Sequence, residues 1–167
     1  MEKTLAVINR MKEQGIISDY AVGGGMASMF YMEPSLTYDL DIFCVIPGDG
    51  KSLNILEGIY KWAGRSGYKT YKEHLIMEGL PVQFIPAYND LVGDAVGNAA
   101  EKKIGRVKAR VVPPEYLIAI MLQTSRKKDL LNAGKMLEEA KIDTGKLARI
   151  LKKYGLEAKL KALGVSP

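Results

Sequence analysis

The chain has 167 residues, of which 47% are hydrophobic and 26% are charged, the balance of a folded domain rather than of a disordered or fibrous chain. No apolar run approaches the roughly 20 residues that a membrane span needs, and the first residues lack the apolar core of a secretory signal. Cys44 is the single cysteine and His74 the single histidine. This argues against disulfides, zinc sites and Ser-His-Asp catalysis, and it favours a reducing cytoplasm as the location.

The charge is divided unevenly along the chain. Residues 1–100 contain 8 Lys or Arg and 12 Asp or Glu, a net charge of −4, whereas residues 101–167 contain 16 and 7, a net charge of +9. Such segregation indicates a polyanionic partner for the C-terminal part, with phosphate the commonest candidate. Lysine-rich helices exposed to solvent give the same pattern without any partner, so charge alone leaves both interpretations open.

The spacing of apolar residues, such as Leu5, Ile8 and Met11, distinguishes helices from strands along the chain. In chain order the sequence predicts a helix over residues 2–14, a strand over 20–22, a short helix over 26–32, a strand over 39–46, a helix over 52–62, a hairpin of 68–77 and 80–86, a strand over 104–112, and helices over 115–124, 126–140 and 144–163, the last interrupted at Gly155. Residues 90–100 are too rich in glycine to assign.

This order of elements predicts an α/β (α+β) protein in which a mixed sheet is flanked by helices and followed by a C-terminal helical module. Pro113-Pro114 marks the boundary. The predicted domains are therefore residues 1–112 and residues 113–167.

Three consecutive glycines, Gly23, Gly24 and Gly25, lie between a predicted strand and a predicted helix. Glycine at such a junction lets the backbone approach an anion closely, and the helix start offers N–H groups to a phosphate. No Gly-Lys-Ser/Thr sequence follows, so this is not a Walker loop. A tight turn without a ligand is the alternative interpretation.

Asp39 and Asp41 lie two residues apart in a run of otherwise apolar, β-prone residues. Alternation along a strand puts both carboxylates on one face, about 7 Å apart. Two such carboxylates repel each other unless a cation lies between them or both reach solvent. Oxygen ligands of this kind favour Mg²⁺ or Mn²⁺, whereas a half-exposed sheet would explain the pair without a metal.

The two signals together are more specific than either alone. A glycine turn, 13 further residues and then Asp-x-Asp on a strand resemble the nucleotidyltransferase superfamily with the DNA polymerase β-like fold. The resemblance is closest to small prokaryotic members, which include antibiotic nucleotidyltransferases and abortive-infection type toxins. A second stretch, Tyr116–Ala119 followed by Arg126–Leu130, is similar to a helical segment of these small members.

The resemblance implies a metal-dependent enzyme that moves a nucleoside monophosphate from a nucleoside triphosphate (NTP), such as ATP, to an acceptor hydroxyl. It implies that Asp39 and Asp41 are the catalytic metal ligands for Mg²⁺ or Mn²⁺. The implied nucleotide-binding residues are Gly23, Gly24, Gly25, Ser28, Arg126 and Lys128. The acceptor, which could be a nucleic acid such as tRNA, a protein or a small molecule, is left open, as is the oligomeric state.

Gln83 departs from the pattern of this family. Members usually carry a third carboxylate on a later strand, where this chain has Val82-Gln83-Phe84, and glutamine serves neither as a carboxylate ligand nor as a general base. A catalytically impaired protein that binds nucleotide, nucleic acid or a protein partner is therefore the alternative function. An ordinary ion pair of Arg126 or Lys128 with Asp129 is likewise an alternative to nucleotide binding by these cations.

Three other features have competing or unremarkable interpretations. The alternating cations of residues 102–110 could form a basic edge for a nucleic acid or only a solvated edge strand. His74 is expected at the surface and, without a second His or Cys, is not expected to bind a metal. Cys44 is expected to be a small buried apolar residue.

Overall fold

A mixed sheet of seven strands forms the centre of the protein. The computed structural model describes residues 1–33, 36–48 and 55–164. In these residues the strands are β1 (Asp19–Val22), β2 (Leu40–Val45), β3 (Lys69–Tyr71), β4 (His74–Met77), β5 (Leu80–Pro86), β6 (Ala100–Ile104) and β7 (Val107–Val111). They lie in the order β3-β4-β5-β2-β1-β7-β6, so β2 has a neighbour on each side.

Helices precede, connect and follow the strands. In the same residues they are α1 (Glu2–Glu13), α2 (Gly24–Ser28), α3 (Glu57–Arg65), α4 (Asp90–Gly97), α5 (Pro114–Thr124), α6 (Lys127–Glu139), α7 (Thr144–Tyr154) and α8 (Glu157–Ala162). Helix α5 is buried along nearly its whole length and packs against α4, α6 and α7. No described helix has the length and apolar character that crossing a membrane requires.

The register of β2 fixes which of its side chains face each other. β2 runs antiparallel to β1, with Ala21 opposite Phe43, and parallel to β5, with Asp41 opposite Gln83. Leu40, Ile42 and Cys44 are fully buried on one face of the strand. The alternation of the strand therefore turns Asp41 and Phe43 to the other face.

The observed elements agree with the sequence except at two hairpins, one helix start and one short helix. The short helix was predicted over residues 26–32, but α2 begins at Gly24, within the glycine run, and ends at Ser28. Residues 68–77 were predicted as one strand, but a turn at Lys72, which has a φ of 53°, divides them into β3 and β4. Residues 104–112 were also predicted as one strand, and Gly105, with a φ of 59°, instead joins β6 to β7. The predicted helix start at Ser52 lies outside the described residues, within which α3 begins at Glu57.

The unassigned stretch over residues 90–100 contains α4 and the start of β6. Asn89 caps α4, because its side-chain oxygen accepts a hydrogen bond from the backbone N–H of Val92 at 2.9 Å. Cys44 is buried and unpaired, as expected. The division into domains 1–112 and 113–167 stays a prediction, and buried side chains from both parts belong to one hydrophobic cluster.

Candidate active site

The glycine turn lies directly against the carboxylate-bearing face of β2. The backbone N–H of Gly23 donates a hydrogen bond to the carbonyl of Asp41 at 2.9 Å. Gly23 has no room for a side chain because the ring of Phe43 packs on it, and Gly24 has none because the carboxylate of Asp41 occupies the space where a Cβ would stand. Gly24 also has a φ of +55°, a conformation that favours glycine. The two sequence signals, separate along the chain, are therefore in contact.

The third glycine contacts the residues that lead into β2. A Cβ on Gly25 would lie 2.9 Å from the hydroxyl oxygen of Thr37. That hydroxyl also donates to Oδ1 of Asp39 at 3.2 Å. Thr37 thus joins the glycine turn to the first aspartate of the pair.

Ser28 supports the glycine turn from inside the protein. It is fully buried, and its hydroxyl donates to the carbonyl of Gly24 at 3.2 Å. The hydroxyl faces the backbone of α2 rather than the surface of the site. In this structure Ser28 therefore stabilises the turn, and its nucleotide-binding role stays a prediction.

Asp41 has an unusual electrostatic environment. Burial, followed by the like charge of Asp39, raises its pKa to about 6, against the opposing effects of Arg126, His74 and Lys128. The carboxylate is therefore costly to ionise, although three cationic or ionisable groups surround it. A site with this charge balance is suited to one additional cation.

Asp39 lies one residue before β2, and its side chain is 41% exposed. Its Oδ2 is 3.6 Å from Nε2 of His74. The expectation that His74 lies at the surface was wrong, because its side chain is only 17% exposed and faces the aspartate pair. Sequence reasoning missed it since a lone histidine has no spacing pattern, and its position depends on how β4 pairs with β5.

Arg126 and Lys128 come to the same site from the start of α6. The charges of both act on Asp41. Arg126 also pairs with Asp129, its Nε lying 2.7 Å from Oδ2, while its own side chain remains 76% exposed. The ion pair weighed as an alternative is therefore present for Arg126, although its charge still lowers the pKa of Asp41.

The corner between α5 and α6 positions these cations. Ser125 ends α5 with a φ of 53°. Nζ of Lys159, from α8, donates to the Ser125 hydroxyl at 2.8 Å and to the Gln123 carbonyl at 3.1 Å. Thr124 donates to the Asp129 carboxylate at 2.5 Å. The last helix thereby fixes the corner from which Arg126 extends.

Gln83 occupies the position beside Asp41. The two residues are direct partners in the parallel pairing of β2 and β5, so their side chains lie on the same face of the sheet. Leu75 pairs with Val82, which places His74 and Gln83 at neighbouring register positions. The face next to Asp41 therefore carries an uncharged amide and an imidazole.

The oxygen ligands of Asp39 and Asp41 suit one divalent cation but do not complete its coordination. Two neighbouring carboxylates, Asp39 and Asp41, suit Mg²⁺ or Mn²⁺, which usually take one or two carboxylates and complete their coordination with water and phosphate oxygens. Among the described residues no group of three His, Cys, Asp or Glu side chains converges so as to hold a metal alone. Such a cation would therefore rely on the nucleotide for further ligands.

A cleft of about 590 Å³ lies elsewhere, lined by Met29–Glu33 and Glu139. It contains none of the residues predicted for the site. Oε2 of Glu139 already accepts a hydrogen bond from the Glu33 backbone at 2.9 Å. The charged and polar groups that could bind a ligand lie around the aspartate pair and not in this cleft.

Of the alternating cations over residues 102–110, Lys108 and Arg110 have acidic neighbours. Lys108 pairs with Glu101 at 2.8 Å. Arg110 lies 3.4 Å from Asp19 and donates to the carbonyl of Val96 at 2.8 Å. Strand β6 forms one edge of the sheet, where charges of this kind deter edge-to-edge association.

Comparison with known proteins bears on the fold. No protein-family model and no curated protein matches the sequence. An antigenic nucleotidyltransferase-like protein from Paracoccidioides brasiliensis is similar in structure, with a TM-score of 0.56 and 13% identity over 97% of this chain and 90% of that chain. The solution structure of the antibiotic-resistance factor ANT(2'')-Ia is similar with a TM-score of 0.50 and 14% identity over 98% of this chain and 97% of that chain. The protein therefore has a nucleotidyltransferase-like fold, which confirms the fold inferred from the glycine turn and the aspartate pair.

Proposed function

We propose that the protein is a nucleotidyltransferase that moves a nucleoside monophosphate from an NTP to an acceptor hydroxyl, with Mg²⁺ or Mn²⁺ held by Asp39 and Asp41. The observation that carries the proposal is the packing of the glycine turn on Asp41, with Arg126 and Lys128 acting on the same carboxylate. Anion-binding and cation-binding groups thus lie side by side, as a metal–triphosphate complex requires.

Each part of the site has a task in this proposal. The backbone N–H groups of Gly24 and Gly25 and the cations of Arg126 and Lys128 bind triphosphate oxygens and hold them in line with the acceptor. The N–H of Gly23 is already bonded to the Asp41 carbonyl, so Gly23 supports the turn. The carboxylates of Asp39 and Asp41 hold the divalent cation. When bound, that cation supplies positive charge where the transfer of the phosphoryl group builds up negative charge.

The first experiment is a calorimetric titration with each NTP in the presence of Mg²⁺, Mn²⁺ or EDTA. We expect binding that depends on the metal and is lost in the double variant Asp39→Asn/Asp41→Asn. Lys108→Ala is the matched control, since Lys108 belongs to the paired β6–β7 charges. Metal-independent binding, or no binding to the wild type, would contradict the proposal.

Gln83 favours a second candidate function, a nucleotide-binding protein with impaired catalysis. Because Gln83 is the direct partner of Asp41, Gln83→Asp places a third carboxylate beside the pair. If the wild type transfers no labelled nucleotide to any acceptor while Gln83→Asp gains metal affinity and activity, the wild type is the impaired form. Transfer by the wild type at a rate that Gln83→Asp does not improve supports the enzyme.

A further inference from the structure

The only histidine of the chain has a nitrogen that no hydrogen bond explains. Within the described residues, the buried Nε2 of His74 has no hydrogen-bond partner. The nearest acid is Asp39, whose Oδ2 is 3.6 Å away, just beyond hydrogen-bond distance. A buried polar nitrogen without a hydrogen-bond partner is unfavourable, so its orientation toward the site needs a reason.

Asp39 and Asp41 differ in how firmly the fold holds them. Asp41 lies inside β2, bonded in the sheet and packed on Gly24. Asp39 lies before the strand, half in solvent, and receives one described hydrogen bond, from Thr37 to Oδ1. Its other oxygen, Oδ2, faces His74. The two oxygens of Asp39 thus have separate neighbours on opposite sides.

We propose that His74 is a positioning residue for Asp39. In the tautomer that carries the proton on Nε2, the imidazole donates to Oδ2 when the distance closes slightly, and Thr37 donates to Oδ1. Hydrogen bonds to both oxygens would then fix the orientation of the Asp39 carboxylate, which together with Asp41 would hold the cation. This inference rests on the proposed function, and it assigns His74 a role through Asp39 rather than as a metal ligand.

Gln83, which lies next to His74 across the β4–β5 pairing, explains why a positioning residue is needed. Gln83, beside Asp41, carries no charge and adds no third carboxylate to the face. A site with two carboxylates depends more on the orientation of each. Partners that orient metal-binding side chains typically change metal affinity 10- to 100-fold when removed.

The test compares His74→Ala with His74→Gln, whose side-chain N–H can reach the position of Nε2. Mn²⁺ affinity is measured by electron paramagnetic resonance with a non-hydrolysable ATP analogue present, and melting temperature is measured in parallel. We expect about tenfold weaker Mn²⁺ binding in His74→Ala and substantial recovery in His74→Gln. Thr70→Ala, on the exposed neighbouring strand β3, is the control and should bind as the wild type does.

The outcomes separate this inference from the proposed function. If Asp41→Asn abolishes Mn²⁺ binding while both His74 variants bind like the wild type, the proposed function stands and the role of His74 is overturned. Equal weakening in His74→Ala and His74→Gln, in step with their melting temperatures, would assign His74 to packing and overturn it as well. If the wild type binds no Mn²⁺ with the analogue, both proposals fail.

Discussion

The aspartate site and the β6–β7 hairpin are both rich in charge, but they use it in opposite ways. In the hairpin, Lys108 lies near Glu101 and Arg110 near Asp19, so these two cations have acidic partners close to the surface. At the site, Asp41 is buried and burial raises its pKa to about 6, so the fold disfavours its charged form. A buried acid with a strongly shifted pKa, rather than charge as such, is typical of functional sites.

The largest expected difference is in the stability lost when two glycines with similar backbone conformations are substituted by alanine. Gly24→Ala and Gly105→Ala both place a side chain at a φ near +55° to +60°, which is unfavourable by about 1–2 kcal/mol. At Gly105 the new Cβ meets the end of the exposed, flexible Glu2 side chain, whereas at Gly24 it meets the short, packed side chain of Asp41. We expect a loss of about 3 kcal/mol for Gly24→Ala and about 1 kcal/mol for Gly105→Ala.

Urea denaturation of both variants checks this prediction. Calorimetry with an NTP should also show binding lost in Gly24→Ala and retained in Gly105→Ala. Equal losses of stability would mean that Asp41 gives way easily, and that the packing of the glycine turn does not constrain the site.

Neutralising Asp41 should stabilise the protein in the absence of ligands. Its pKa is raised from 3.8 to about 6, so between these values the native state binds more protons than the unfolded state. The free energy of unfolding therefore falls as pH rises through this window, by on the order of 3 kcal/mol. Asp41→Asn should remove that fall and be more stable than the wild type at pH 7.5, while losing metal binding.

Asp94 is the matched contrast, because its pKa is lowered rather than raised, and its effect on stability should have the opposite dependence on pH. Hydrogen bonds from Lys153 and Tyr154 lower its pKa, so it contributes stability above its ordinary pKa, and this contribution is lost as pH falls. Asp94→Asn should therefore be less stable than the wild type at pH 7.5. Melting temperatures of the wild type and both variants between pH 4 and pH 8 measure these signs, and a pH-independent difference for Asp41→Asn would contradict the assignment.

Removing one cation from each region should weaken NTP binding only when the cation belongs to the aspartate site. Arg126→Ala removes a positive charge that acts on Asp41 and, in the proposed function, a phosphate-binding group. We expect NTP binding about tenfold weaker, the effect of losing one hydrogen bond to a charged group. Lys108→Ala should leave the affinity unchanged, since its partner is Glu101. Equal affinities of the two variants would argue against Arg126 as a nucleotide-binding residue.

The smallest expected effect concerns the edge strand. Lys103 is exposed on β6 and lies opposite Lys108. Lys103→Thr should leave NTP affinity unchanged and slightly increase self-association at high concentration, which light scattering detects. Weaker binding of a single-stranded RNA by this variant, measured by fluorescence anisotropy, would instead favour the basic edge as a nucleic-acid interface.

The sequence was informative where chemistry depends on neighbours along the chain. Gly24 and Asp41 belong to such a local pattern, because only glycine fits a positive φ at a point where another side chain takes the place of its Cβ. The pattern could not reveal that Ser28 is turned inward, since that depends on packing around α2.

Features that depend on strand pairing could not be predicted from the sequence. The turn at Lys72 contains no glycine, proline or asparagine, so nothing signalled that β3 and β4 are separate. The approach of His74 to Asp39 follows from that turn and from the β4–β5 register. The sequence thus predicted the fold and the aspartate pair, whereas the surroundings of Asp39 needed the structure.

The bond from Lys159 to the corner between α5 and α6 has a consequence for synthesis of the protein. The glycine turn and both aspartates leave the ribosome early, but the corner that presents Arg126 is braced by a residue more than thirty positions further on. Until Lys159 has emerged, the nascent chain carries the aspartate pair without its fully braced cationic side. If the protein binds a nucleotide as proposed, that binding should develop late in translation, after most of the sheet has had time to fold.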